Sequence, residues 1–89
     1  MKQKKQRNIR SRVIRIIAGE VKAEPEEIGL EDKLSANLGA DSLSLMAILA
    51  RIDAEFGLDL TDGFRPSSKR DFRVDKLILA VRRGVRLLA

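Results

Sequence analysis

The residues of this 89-residue chain that are best suited to chemistry lie in one short segment, Leu38-Gly39-Ala40-Asp41-Ser42-Leu43. If a helix begins at Asp41-Ser42, its first turn exposes unpaired N–H groups and a partial positive charge. Such a helix end favours a phosphate without added cations, and Gly39 allows a tight backbone turn just before it. A phosphodiester on the Ser42 hydroxyl therefore suits this position electrostatically.

An isolated Asp-Ser-Leu tripeptide has a more ordinary explanation, since Asp and Ser are common helix N-caps. Ser42 as a hydrolytic nucleophile is disfavoured because the chain has no His to activate it. The absence of both Cys and His also excludes the usual zinc sites and Cys-His pairs. We therefore predict no metal site and no catalysis by the chain itself, and the residues alone leave Asp41-Ser42 as a cap or an attachment site.

The net charge of +5 first suggests a nucleic-acid or anionic-membrane partner. The charge is unevenly distributed, however. Residues 1–12 hold six bases and no acid, residues 13–64 hold eleven acids and four bases, and residues 65–89 hold eight bases and two acids. An acidic body thus lies between two basic ends. We favour solvated ends, and keep contact with an anionic membrane or with an acidic partner as alternatives.

Helical periodicity predicts the elements that must position Ser42. The first helix is indicated by Ile9, Val13, Ile16, Ile17 and Val21, and the last by Val74, Leu77, Ile78, Val81, Val85 and Leu88. Residues 1–8 are polar without periodicity, so we predict a flexible basic tail there and one domain over residues 9–89. Glu24-Pro25 should end the first helix or follow its end, and Pro25-Glu26-Glu27-Ile28 favours a single helical turn.

A long loop is predicted over residues 29–41, pinned by Leu30, Leu34 and Leu38. The second main helix then starts at Asp41-Ser42 and ends near Phe56, with Gly57 as its C-cap. No strand-like alternation persists. The fold class is therefore all-α, a small three- to four-helix bundle with a long loop between the first and second main helices.

The second helix carries two apolar faces. One consists of Leu45, Ile48, Leu49, Ile52 and Phe56 and is the predicted core stripe; the other consists of Leu43, Met46, Ala47, Ala50 and Ala54. Exposed Ala residues are easily tolerated in a helix. Leu43 and Met46 next to the loop nevertheless favour a docking surface, since Met is common on adaptable binding surfaces.

In this order and context, these features resemble the acyl carrier protein family, which includes polyketide and peptidyl carrier domains. The resemblance covers about residues 9–83 and rests on the following segments: the first helix, Ala23-Glu24-Pro25-Glu26-Glu27-Ile28, the anchors Leu34 and Leu38, the Asp41-Ser42-Leu43 motif and Glu55-Phe56-Gly57. The motif is short, but its place among these segments makes it specific.

The resemblance implies that a phosphopantetheinyl transferase uses coenzyme A to attach 4′-phosphopantetheine to Ser42. Asp41, Gly39 and Leu43 complete the expected cofactor-binding set, with Asp41 helping the transferase to bind its metal or to orient Ser42. Acyl groups would be bound to the thiol of the 4′-phosphopantetheine as thioesters and sheltered between helices. They would then be transferred to acyl-transfer or condensing enzymes. The protein would then be a carrier and not an enzyme.

The resemblance also makes the helix after Ser42 the recognition helix. Its expected partner-binding residues are Leu43, Ser44, Met46, Ala47, Ala50, Arg51 and Ala54. Ser44 stands where the family usually has a second Asp, and Ala47 stands where Glu is common. We therefore predict a specialised carrier that docks by apolar contact, in a fatty-acid, lipid-modification or polyketide pathway. The Leu-Gly-Ala sequence before Asp41 favours a fatty-acid or polyketide type over a peptidyl one.

A second departure lies at residues 62–73. The family's third helix is short and acidic, whereas this segment is basic, about three residues longer and interrupted by Pro66. We expect Phe64 and Phe72 to be core anchors.

Two other functions stay open. The first is a small nucleic-acid-binding module, in which phosphates would be contacted by the N-terminal tail and by Arg82, Arg83 and Arg86. The acidic middle of the chain and the lack of an aromatic stacking platform argue against it. The other is a carrier-like partner subunit that is never modified. No apolar run is long enough to span a membrane and none follows the basic N-terminus, so we expect a cytoplasmic monomer.

Overall fold

The computed structural model describes the backbone of residues 4–63 and 72–88, and the side chains of residues 8–61 and 72–88. These residues form three α-helices and two 3₁₀ turns, in the order α1 (Lys4–Val21), a turn at Pro25–Glu27, α2 (Ser42–Phe56), a turn at Leu60–Gly63 and α3 (Val74–Leu88). The predicted all-α class is confirmed. Within the described ranges, no helix has the length and apolar character needed to cross a membrane.

The three helices pack together because each contributes one apolar stripe to a common core. The fully or nearly fully buried residues of these stripes are Ile9, Val13, Ile16 and Ile17 in α1, Ile48, Leu49 and Ile52 in α2, and Val74, Leu77, Ile78 and Val81 in α3. Leu45 and Phe56 are half-buried against the same core. The core stripe predicted for the second helix is therefore confirmed.

Helix α1 begins at Lys4, five residues before the start that the apolar pattern predicts. The added residues are polar, so hydrophobic periodicity contains no signal for them. Residues 1–3 lie outside the described part of the chain. The division of the chain at residue 8 stays a prediction.

Lys22 ends α1 in a left-handed conformation, with φ of +58°. The N–H of Ala23 donates to the carbonyl of Ala18 at 3.0 Å, which is the long hydrogen bond of a Schellman motif. Glycine usually occupies this position, because a Cβ atom crowds the backbone in the left-handed region.

Replacing Lys22 with Gly is expected to stabilise the protein by about 0.5–1 kcal/mol, since the relieved crowding exceeds the added entropy of the unfolded chain. Urea unfolding followed by circular dichroism measures the change. Lys22→Ala removes the same charge and keeps the Cβ, so it serves as the control. Equal stability of the two variants would contradict this account.

The loop before α2 is held against the start of α3. Three backbone hydrogen bonds of 2.8–2.9 Å make this connection: Leu34 N–H to the Phe72 carbonyl, Val74 N–H to the Asp32 carbonyl and Asp75 N–H to the Leu30 carbonyl. Leu34 is 1% exposed, whereas Leu30 and Leu38 are half-buried against the core. The three predicted loop anchors are thus confirmed.

Two features follow α2. Gly57 adopts φ of +71° and its N–H donates to the Asp53 carbonyl, which confirms it as the C-cap. Phe72 packs half-buried against the core, as expected. Phe64 and Pro66 belong to the segment of residues 64–71, which lies outside the described residues, so the predictions for them are untested.

Candidate functional site

The site is built on the first turn of α2. Asp41 is the N-cap, with an extended backbone (φ −89°, ψ −176°), and its Oδ1 accepts the Ser44 N–H at 2.8 Å. The Asp41 carbonyl accepts the Leu45 N–H, also at 2.8 Å. Ser42 is then the first residue of the helix itself. The capping role therefore falls to Asp41, and Ser42 is not needed for it.

Two residues shape the backbone just before Asp41: Ala40 is held against the loop, and Gly39 has free space around its Cα atom. The Ala40 N–H donates to the Leu34 carbonyl at 2.9 Å, and the Ala40 side chain is only 3% exposed. Gly39 has φ of +76°, and a Cβ added to it would meet no atom within 4 Å. Glycine is required there by backbone conformation and not by a close contact.

Ser42 and Leu43 both face outward. Ser42 is exposed, and no described residue hydrogen-bonds to its hydroxyl. Leu43 is 81% exposed and so presents a large apolar side chain next to Ser42. The described residues also contain no group of three or more carboxylates able to hold a metal ion. The Ser42 hydroxyl is therefore accessible from solvent at the start of α2.

Asp41 changes the electrostatics that the sequence suggested. Hydrogen bonds from the Ser44 backbone N–H, and then from its hydroxyl, hold the pKa of the Asp41 carboxyl below its ordinary value of 3.8. An ionised carboxylate therefore shares the positive end of α2. A phosphodiester on Ser42 would stand beside this negative group, so the helix end by itself is not a free anion site.

Asp41→Ala is expected to lower the urea midpoint at pH 7, and Asp41→Asn is expected to lower it less, because Asn also caps helices well. The folded-state pKa of Asp41 lies below its ordinary value of 3.8, so its ionised form adds stability above that pH. This contribution disappears as the pH falls through the folded-state pKa. The difference between wild type and Asp41→Asn should therefore shrink in acid, and a difference that stays constant from neutral to acidic pH would contradict the assignment.

The predicted partner-binding residues share the outer side of α2 to different degrees. Leu43, Ala50 and Ala54 are exposed, and Ser44, Met46 and Ala47 are half-buried. We call these six residues the α2 outer face. Arg51 is exposed as well, but its guanidinium is held by another helix.

All three charged residues of α2 have partners within the protein. Arg51 Nη1 lies 2.9 Å from Glu20 Oε2 of α1, and Glu55 Oε2 lies 2.6 Å from Arg12 Nη2 of α1. The Arg12 guanidinium also stacks 4.5 Å from the centre of the Phe56 ring. Both ion pairs join α2 to α1.

Asp53, the third charged residue, holds the segment that follows α2 against the helix. Its carboxylate accepts the Leu60 N–H at 2.7 Å, the Thr61 N–H at 2.9 Å and the Thr61 hydroxyl at 2.6 Å. Partial burial raises the pKa of Asp53, but the hydrogen bonds from Thr61 and Leu60 outweigh it and lower the pKa overall. The charged residues of α2 are therefore engaged within the protein, and they leave no unpaired charge beside the α2 outer face. Local sequence spacing does not reveal this pairing, because the partners lie 7 to 43 positions away.

The comparisons with known proteins cover a stretch of the chain that includes the candidate site. The family described as "phosphopantetheine attachment site" matches residues 11–64. An acyl carrier protein from Rickettsia bellii strain RML369-C is 40% identical over 55 residues, which are 62% of this chain and 64% of that protein. Another, from strain OSU 85-389, is 42% identical over 55 residues, or 62% of this chain and 68% of that protein. The chain thus spans just under two thirds of the first relative. None of the solved structures matches it significantly.

Proposed function

This chain belongs to the acyl carrier protein family, and on that premise we propose that Ser42 is the attachment point of its 4′-phosphopantetheine. The observation that carries the proposal is the exposed Ser42 at the first residue of α2, with the capping role taken by Asp41. The hydroxyl is therefore free to react without unravelling the helix. The protein acts as a carrier of acyl groups and catalyses no reaction itself.

The attached group supplies a thiol that holds acyl groups as thioesters, which this Cys-free chain cannot provide. For attachment, the Ser42 oxygen forms a bond to phosphorus while the phosphoanhydride of coenzyme A breaks and the nucleotide leaves. We expect the hydroxyl proton to pass to a base on the transferase, because this chain has no His and the lowered pKa of Asp41 makes its carboxylate a weak base. Asp41 stays ionised beside the reacting hydroxyl and is suited to hold the metal of the transferase or to orient Ser42.

The test is intact-mass measurement after incubation with coenzyme A and a broadly specific phosphopantetheinyl transferase. We expect the mass to rise by one phosphopantetheine group in the wild type and to stay unchanged in Ser42→Ala. Ser44→Ala, two residues later, is the matched control and should still be modified.

Two results would contradict the proposal. Modification of Ser42→Ala would place the attachment elsewhere. An unmodified wild type that binds DNA in a salt-sensitive manner would favour the nucleic-acid-binding module, and an unmodified wild type without such binding would favour the carrier-like partner subunit.

We further propose that partner enzymes contact the α2 outer face mainly through apolar groups. The support is the internal pairing of Arg51, Asp53 and Glu55, together with the 81% exposure of Leu43. A face without free carboxylates gains little from basic patches on a partner. This favours a specialised cytoplasmic pathway of fatty-acid, lipid-modification or polyketide type, in which the condensing or acyl-transfer enzymes have matching apolar surfaces.

Adding carboxylates to the α2 outer face should improve its use by general fatty-acid elongation enzymes. We expect Ala50→Glu combined with Ala54→Glu to raise turnover of the loaded carrier roughly tenfold at low salt, with the gain lost as salt rises. The Gln pair at the same positions matches the size without the charge and should leave turnover near the wild-type level. Wild-type turnover already equal to that of an acidic carrier would contradict apolar docking.

A further inference from the structure

Helix α3 turns a basic surface towards solvent. Val74–Leu88 contains four bases, Lys76, Arg82, Arg83 and Arg86, and a single acid. That acid, Asp75, is engaged by Arg73 through two hydrogen bonds of 2.6 and 3.1 Å. Asp75 also interacts electrostatically with the neighbouring Lys76, so the three arginines are the cations of α3 that it leaves without a partner.

The arginines of this surface have no ion-pair partners among the described side chains. The ion pairs found among the described side chains use Arg12, Arg51 and Arg73. Arg82, Arg83 and Arg86 are exposed and none of them takes part in a salt bridge within the described part of the chain. Their charge is thus available to an anionic partner.

Large apolar side chains lie among these cations. Leu79 is 40% exposed and Leu87 is 86% exposed. Leu79, Arg83, Arg86 and Leu87 follow the i, i+4, i+7, i+8 spacing of one helix face. We define the α3 basic face as Lys76, Leu79, Arg82, Arg83, Arg86 and Leu87.

The α3 basic face continues onto α1 across a cleft of about 280 Å³. Arg10 of α1 lines the cleft together with Lys76 and Arg82. The one acid in the lining is Asp75, which is paired with Arg73, and the apolar lining comes from Leu30, Ile78 and Leu79. Two helices therefore present cations around a shared apolar floor.

We propose that the α3 basic face docks this protein on the surface of an anionic lipid bilayer. Cations flanking exposed leucines are the pattern of interfacial helices, in which the leucines reach below the headgroups while the arginines contact phosphates. The arginines spread over two flanks of α3, and a fluid array of headgroups can neutralise them without fixed geometry. An acidic protein would need carboxylates placed to match each one.

The docking is weak and reversible, because one amphipathic face without a lipid anchor gives modest affinity. It leaves the attachment site free, since the α3 basic face includes no residue of α2 or of the loop before it. The proposal does not depend on modification of Ser42.

The test is co-sedimentation of the full chain with vesicles. One set contains phosphatidylcholine alone, and the other contains phosphatidylcholine and phosphatidylglycerol in equal parts. We expect binding only to the anionic vesicles, with release as salt rises. Combining Arg82→Gln, Arg83→Gln and Arg86→Gln should weaken binding at least about tenfold.

The matched control combines Arg15→Gln, Lys22→Gln and Lys33→Gln, which lowers the net charge equally at exposed positions outside the face. It should retain most of the binding. Leu87→Ser should weaken binding without changing the urea midpoint, because Leu87 is 86% exposed. The salt dependence of the wild type supplies a test that needs no variant.

Three outcomes would overturn the proposal. The first is equal binding to neutral and anionic vesicles, and the second is equal loss in the two triple variants, which would indicate general charge attraction. The third is binding to soluble polyglutamate with no sedimentation on anionic vesicles, which would assign the face to an acidic protein partner.

Discussion

Three backbone hydrogen bonds between residues 30–34 and residues 72–75 help to determine where Ser42 lies. They hold Leu34 in the core at the start of α3, and Leu34 in turn accepts the Ala40 N–H just before Asp41. The loop also has turn hydrogen bonds of its own, such as those from the Asn37 N–H to the Lys33 carbonyl and from the Gly39 N–H to the Ser35 carbonyl. The contacts with α3 fix where these turns lie relative to the helices. The position of Ser42 is therefore set as much by the beginning of α3, some thirty residues later, as by the helix that Ser42 begins.

The ion pairs between α1 and α2 matter more for recognition than for stability. Arg12–Glu55 and Arg51–Glu20 are partly exposed, and surface pairs of this kind contribute at most about 1 kcal/mol each. Their larger effect is to occupy the charges of α2 within the protein. A helix that has both acidic and basic residues in its sequence consequently offers a partner an almost uncharged surface.

Much of this structure can be predicted from the sequence, because the elements concerned are determined by residues close together in the chain. The apolar stripes, the Asp41-Ser42 start of α2 and the Gly57 cap all follow from spacing and residue type, and each agrees with the structure. The early start at Lys4 could not be predicted, because polar helix has no periodicity. The left-handed Lys22 could not either, because Lys is an unusual residue at that position. The pairing of Arg51 and Glu55 depends on tertiary contacts and leaves no trace in local spacing.

The net charge of +5 describes the chain less well than the separation of its charges. The turn at Pro25–Glu27 is exposed and acidic, whereas the arginines of the α3 basic face have no ion-pair partner among the described side chains. Electrostatic forces between exposed groups decay within about 8 Å at physiological salt. The acidic turn and the α3 basic face therefore each interact only with charged groups in their immediate neighbourhood. An anionic bilayer would attract the α3 basic face and repel the acidic turn, which selects one orientation. In that orientation the protein would be held through the α3 basic face, which includes no residue of α2, so the α2 outer face would stay available for an enzyme that accepts the acyl group.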